Sequence, residues 1–125
     1  MLKGILEQIY PISMEYNVIL ANGLFPKDSH LFHLIKGAKN LICCDGAINK
    51  LDQYAIIPDC IIGDCDSLSI EISQRFKHKI KQISEQESND LTKAVNFAHE
   101  VSMPRIIVIM VIQKIYVVEI YHTVD

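Results

Sequence analysis

The sequence lacks a C-x-x-C pair, a basic stripe and any apolar run long enough to cross a bilayer. Cys43 and Cys44 are adjacent, so in a strand they point to opposite faces and cannot hold one zinc ion without distortion. Buried free thiols are the expectation. Met1 to Tyr10 has no export pattern, so the thiols fit a reducing compartment and the expected location is cytoplasmic. The formal charge is −3, and no basic loop is studded with aromatics, so no nucleic-acid partner is expected. Lys77-His78-Lys79-Ile80-Lys81 reads as a solvated connector. The apolar stretch from Ile106 to Tyr121 is interrupted by Gln113, Lys114 and Glu119, which excludes a membrane partner of the spanning kind. His30, His33, His78, His99 and His122 are scattered, with no ligand spacing and no Ser-His-Asp or Cys-His order.

Half of the 125 residues are hydrophobic, enough for the core of one domain. Several short apolar runs are nearly continuous, as in parallel strands covered on both faces. They are Asn17 to Ala21, Asn40 to Cys44, Cys60 to Ile62, Lys79 to Ile83 and Arg105 to Met110. Between them lie helical patterns. Ser29 to Lys36 carries Leu31, Phe32, Leu34 and Ile35 on one face, and Gly37 follows as a stop. Ala47 to Tyr54, Leu68 to Phe76 and Leu91 to Val101 complete the set, the last with Leu91, Ala94, Val95 and Ala98 on one stripe. Alternation of this kind predicts an α/β fold, a doubly wound parallel sheet with right-handed crossovers.

Acids gather where the strands end. Ile61-Ile62-Gly63-Asp64-Cys65-Asp66-Ser67 is an apolar strand end, a glycine and two carboxylates two residues apart. In extended backbone both side chains leave on one side, and a hard cation such as Mg²⁺ relieves the repulsion between them. The plainer alternative is a turn, with Asp66 or Ser67 capping the next helix. Leu41-Ile42-Cys43-Cys44-Asp45-Gly46-Ala47 repeats the pattern, and Glu85-Gln86-Glu87-Ser88-Asn89-Asp90 again puts acid where a helix begins. Asp90 has its own plain alternative as a helix cap. Ligands of open parallel sheets bind outside the carboxyl ends of the strands, so these acids converge on one expected site.

In order and spacing, Asn22-Gly23, Asp45-Gly46-Ala47-Ile48-Asn49-Lys50-Leu51, Pro58-Asp59-Cys60-Ile61-Ile62-Gly63-Asp64-Cys65-Asp66-Ser67, Gln86 and Asn89-Asp90-Leu91-Thr92-Lys93-Ala94 resemble thiamin pyrophosphokinase. The likeness spans about Asn17 to Met110, the nucleotide-binding half of that family. It implies a Rossmann-like domain that transfers pyrophosphate from ATP to the thiamine hydroxyl, giving thiamine diphosphate and AMP, with Mg²⁺ and as a homodimer. It also implies roles. Asp64, Asp66 and Asp90 would be catalytic, and Asp45, Asp64 and Asp66 would hold the metal. Asn22, Gly23, Asp45, Gly46, Asn49, Ser67, Gln86 and Lys93 would contact nucleotide or substrate. The chain departs from the family with Glu85 for the usual Asp, Asn89 for the usual Thr and Cys65 for an aromatic residue.

After Met110 the family supplies a glycine-rich loop with an Asp-His pair and then a β domain. Here Val111-Ile112-Gln113-Lys114-Ile115-Tyr116-Val117-Val118 follows, and His122-Thr123 echoes the pair with Tyr121 in place of the acid. The expected organisation is an N-terminal extension over 1–16, the nucleotide-binding domain over 17–110 and a divergent or truncated tail over 111–125. Two other readings stand beside the kinase. One is a catalytically incompetent nucleotide-binding fragment of such an enzyme. The other is an Asp-dependent phosphatase, disfavoured because its Asp-x-Asp belongs after the first strand and is followed by threonine.

Overall fold

The computed structural model describes residues 15–25, 27–66, 68–84, 88–112 and 114–121, the side chain of Tyr121 excepted. The strands are β1 Asn17–Leu20, β2 Asn40–Cys44, β3 Cys60–Gly63, β4 Ile80–Gln82, β5 Arg105–Val111 and β6 Ile115–Tyr121. The helices are α1 Ser29–Lys36, α2 Ile48–Gln53, α3 Ile70–Arg75 and α4 Asp90–Glu100. All form around one sheet of order β4-β3-β2-β1-β5-β6.

The first five strands are parallel, as their continuous apolar character predicts. The sixth corrects the expectation of a wholly parallel sheet. β6 returns antiparallel along β5 and makes the sheet mixed. A tight reversal after Val111 joins the two, so no helical crossover is needed. Sequence alone marked this segment only as apolar and divergent from the family.

The core has two layers because each central strand is apolar on both faces. Val18, Leu20, Leu41, Cys43, Ile61 and Ile107 meet Leu31, Leu34 and Ile35 of α1, Ile48 and Leu51 of α2, and Ile72 and Phe76 of α3 and its end. On the opposite face Ile19, Ile42, Cys44, Ile62 and Ile106 pack against Ala94 and Ala98 of α4. Burying each large aliphatic side chain contributes roughly 1.5–3 kcal/mol. Cys43 and Cys44 thus lie in different layers, and all four thiols are free. No helix of the described residues is long and apolar enough to cross a membrane.

The strand order positions the site. The chain steps outward from β1 to β4, then returns to place β5 on the other side of β1. The carboxyl ends of β1, β2 and β3 are therefore neighbours, at the point where the order reverses, and α4 begins beside them.

Candidate functional site

β2 ends in Cys44, and Asp45 opens a single 3-10 turn that leads into α2. Asp45 is buried, 5% exposed, and its Oδ2 accepts a hydrogen bond of 3.1 Å from the Cys65 backbone N–H. β3 ends at Gly63, and a Cβ built there would lie 2.7 Å from Asp45 Oδ2. Only glycine leaves room for that carboxylate. The glycine of the Gly63-Asp64 sequence is thus a site residue, although sequence reading treated it only as punctuation.

The segment after Gly63 is not extended. The Asp66 N–H donates to Asp64 Oδ1 at 3.1 Å, and Cys65 has φ +63°, so the chain turns. Side-chain alternation therefore does not align Asp64 with Asp66. Gln82 at the end of β4 fixes the turn by donating from Nε2 to the Asp64 carbonyl at 3.0 Å. The cap of α3 is Ser69, its side chain accepting from the Ile72 N–H, so the capping alternative for Asp66 does not hold. Ser67, like Glu85 and Gln86, lies outside the described residues.

Asp90 comes from the other layer. Its role as a helix cap falls to Asn89, whose Oδ1 accepts from the Thr92 N–H at 2.8 Å. Asparagine and threonine both cap well, so Asn89 keeps the local geometry despite the departure from the family. Asp90, the first residue of α4, is left to hydrogen-bond Asp45 side chain to side chain. Burial raises the Asp90 carboxyl above its usual range. The Asp45 charge and that hydrogen bond push it the same way, as does Asp64. Lys93, one turn on and 5% exposed, opposes the rise with its Nζ 4.0 Å from Asp90 Oδ1. Lys93 was expected at the site, but sequence left it free to face water. It is buried there.

The thiols beside these acids stay neutral. Burial pushes Cys65 up to about 11, and Asp45, Asp64, Asp90 and Asp66 add to it. Cys44 rises to about 12, chiefly by burial, although a hydrogen bond from the Asn22 backbone lowers it. That bond ties the β1 exit to β2. The Asn22 side chain lies directly against Gly46, and a Cβ at Gly23 would run into the Val111 carbonyl oxygen. Asn22, Gly23, Asp45, Gly46, Asp64, Asp90 and Lys93 thus line one edge of the sheet. Asn49 is exposed on α2, and Asp59 is at the other end of the strands, accepting from the Leu41 N–H at 2.7 Å.

Among the described residues, no three His, Cys, Asp or Glu side chains are grouped closely enough to hold a metal ion. The carboxylate pair nevertheless suits Mg²⁺. Carboxylate oxygens are the hard donors that Mg²⁺ takes, and it keeps most of its water while binding one or two of them.

The fold has counterparts. Residues 31–116 match the family model "Thiamin pyrophosphokinase, catalytic domain". The yeast thiamin pyrophosphokinase structure is 28% identical with a TM-score of 0.60, over 77% of this chain and 35% of its own. The enzyme from Candida albicans is 30% identical with a TM-score of 0.57, over 74% of this chain and 35% of its own. The chain thus spans about a third of the length of either enzyme. No curated protein sequence matches significantly. With more than half of its length matched by the catalytic-domain model, the chain belongs to the thiamin pyrophosphokinase family.

Proposed function

We propose that this chain supplies the nucleotide side of Mg²⁺-dependent pyrophosphate transfer from ATP to the thiamine hydroxyl, yielding thiamine diphosphate and AMP. The observation that carries the reading is the convergence of Asp45, Asp64 and Asp90 with buried Lys93 at the carboxyl ends of β2 and β3 and the start of α4. Phosphoryl-type transfer asks a protein mainly for positioning and charge neutralisation. Bound Mg²⁺ would neutralise the nucleotide phosphates. Asp45 and Asp64 would supply its carboxylate ligands with water completing the shell, and Asp66 on the exposed turn is a family-based assignment. Asp90 would hold metal or orient the nucleophile, and Lys93 would limit the charge of the acidic edge. Asn22 and Gly23 would let the nucleotide approach backbone closely, while Ser67, Gln86 and Asn49 remain family-based assignments to phosphate or substrate. The family also suggests a doubly wound, Rossmann-like classification, a cytoplasmic homodimer and the domain limits given above.

A second reading stands beside this one, and the chain covers 35% of each related enzyme. It binds nucleotide but does not turn over by itself. Thiamine-dependent AMP release separates the two readings. The shared claim is tested by calorimetry. ATP should bind only with Mg²⁺, and Asp45→Asn should weaken it at least about tenfold, roughly 1.4 kcal/mol. Equal affinity with and without Mg²⁺ would contradict both.

A further inference from the structure

β6 forms one edge of the sheet, and which of its backbone groups face outward follows from its neighbours. On the β1 side, the Ile109 carbonyl accepts from the Ala21 N–H at 2.9 Å and the Val111 carbonyl from the Leu24 N–H at 2.8 Å. Backbone groups of successive strand residues point to opposite sides, so Ile106, Val108 and Met110 turn theirs toward β6. Opposite them stand Ile120, Val118 and Tyr116. The backbone N–H and C=O groups of Ile115, Val117, Glu119 and Tyr121 are therefore directed away from the sheet. Among the described residues, no strand takes them up.

The two edges of this sheet are built differently. Edge strands are usually blunted by shortness, lysine, proline or a bulge. β4 follows that rule: it has three residues, Lys81 is exposed within it, and Lys77 and Lys79 precede it. β6 has none of these devices. It pairs one-to-one with β5 over seven residues, and it contains no proline and no lysine. Its one charge, on Glu119, is taken by Arg105 of its own chain at 2.6 Å and so does not guard the edge.

We propose that β6 pairs with β6 of a second copy of this chain, antiparallel about a twofold axis at Val118, joining two six-stranded sheets into one. The outward groups set this register. Val117 faces Glu119 of the second copy and Ile115 faces Tyr121, as hydrogen-bonded pairs. Between them Val118 meets Val118, and Tyr116 meets Ile120, an aromatic and β-branched pair of the kind that stabilises sheets. An axis at Glu119 would oppose two carboxylates, and one at Val117 would leave Ile120 and Tyr121 without strand partners. The twofold closes on itself and the guarded β4 edges end the sheet, so the product is a dimer and not a fibre. The pairing goes beyond the nucleotide reading by giving the suggested homodimer a surface. The acidic edge, at the ends of β1, β2 and β3, takes no part in it.

Sedimentation equilibrium of the full chain should show a dimer that dissociates on dilution. Val118→Lys, at a position 53% exposed, sets two ammonium groups face to face across the axis. It should weaken the dimer at least tenfold with an unchanged circular dichroism spectrum. Cross-linking reads the register. Under mild oxidation Val118→Cys should link copies at least tenfold faster than Tyr116→Cys or the wild type, because only position 118 meets itself. A monomeric wild type, a dimer that Val118→Lys leaves intact, assemblies larger than a dimer, or equal linking through Tyr116→Cys overturns the proposal. A monomer that still binds Mg²⁺–ATP overturns the strand pairing alone and leaves the nucleotide reading standing.

Discussion

Asp90 is the residue on which folding and function pull in opposite directions. Its carboxyl is raised in the folded state by burial, by the Asp45 charge and by the Asp45 hydrogen bond. Between the unfolded value near ~3.9 and the raised folded one, the folded chain binds more protons than the unfolded chain. Stability from this group therefore falls as pH rises through that window and stays lower at neutral pH. Asp90→Asn keeps the shape and removes the repulsion. With the Asp90 side chain 32% exposed, solvent screens the effect. We expect a gain of about 0.5 kcal/mol, or roughly 2 °C in Tm, at pH 7 without metal. The gain should vanish below about pH 4, where the wild-type carboxyl is protonated in both states. Thermal denaturation across pH 3.5–8 checks this, and a lower Tm for the variant at pH 7 would contradict it.

Single residues also set the limit of what the sequence conveys. That Asp45, Asp64 and Asp90 meet at one edge follows from each standing at a strand end or helix start. Local signals encode that much. The partner of each carboxylate is different. That Asp90 bonds Asp45, that Lys93 is buried beside it and that Gly63 makes room for Asp45 depend on two layers packing across the sheet. No spacing within one segment contains that information. The expected alignment of Asp64 with Asp66 failed for a local reason, since an Asp64 side chain that accepts from the Asp66 N–H favours a turn over a strand.

Among the elements, the four helices and five parallel strands were legible because their apolar patterns are strong. Their limits moved by only one or two residues. β6 was not, since its β-forming character gave no pairing partner. Pairing depends on Arg105 at the start of β5. Arg105 is 5% exposed, and its Nε donates to Glu119 Oε1 at 2.6 Å, pinning the register in which Ile107 faces Glu119. A guanidinium this buried loses much of its compensation if the facing charge is removed. Glu119→Gln, which keeps an acceptor, should therefore cost about 2–3 kcal/mol. Urea denaturation measures it, and a change under about 0.5 kcal/mol would mean that the hairpin does not depend on the pair. β6, at the edge of the sheet, carries Ile115 and Val118 on opposite faces, 47% and 53% exposed. Exposed apolar edge strands favour association, in keeping with the homodimer proposed above.

For the whole molecule, the sheet order brings the ends of β1, β2 and β3 together at one acidic edge. The chain spans about a third of the related enzymes. In the proposed transfer thiamine would have to be held in line with the nucleotide, and positioning of that kind accounts for roughly 7–11 kcal/mol of a barrier. Nucleotide binding is thus the property that residues 1–125 should display most directly. The deciding measurement is electron paramagnetic resonance of Mn²⁺ in place of Mg²⁺, titrated into the chain with ATP. The account predicts one tightly held Mn²⁺ per chain in the presence of ATP, with at least tenfold weaker binding in Asp45→Asn and in Asp90→Asn. Mn²⁺ held equally well by both variants, or held by none of the three proteins, would contradict it.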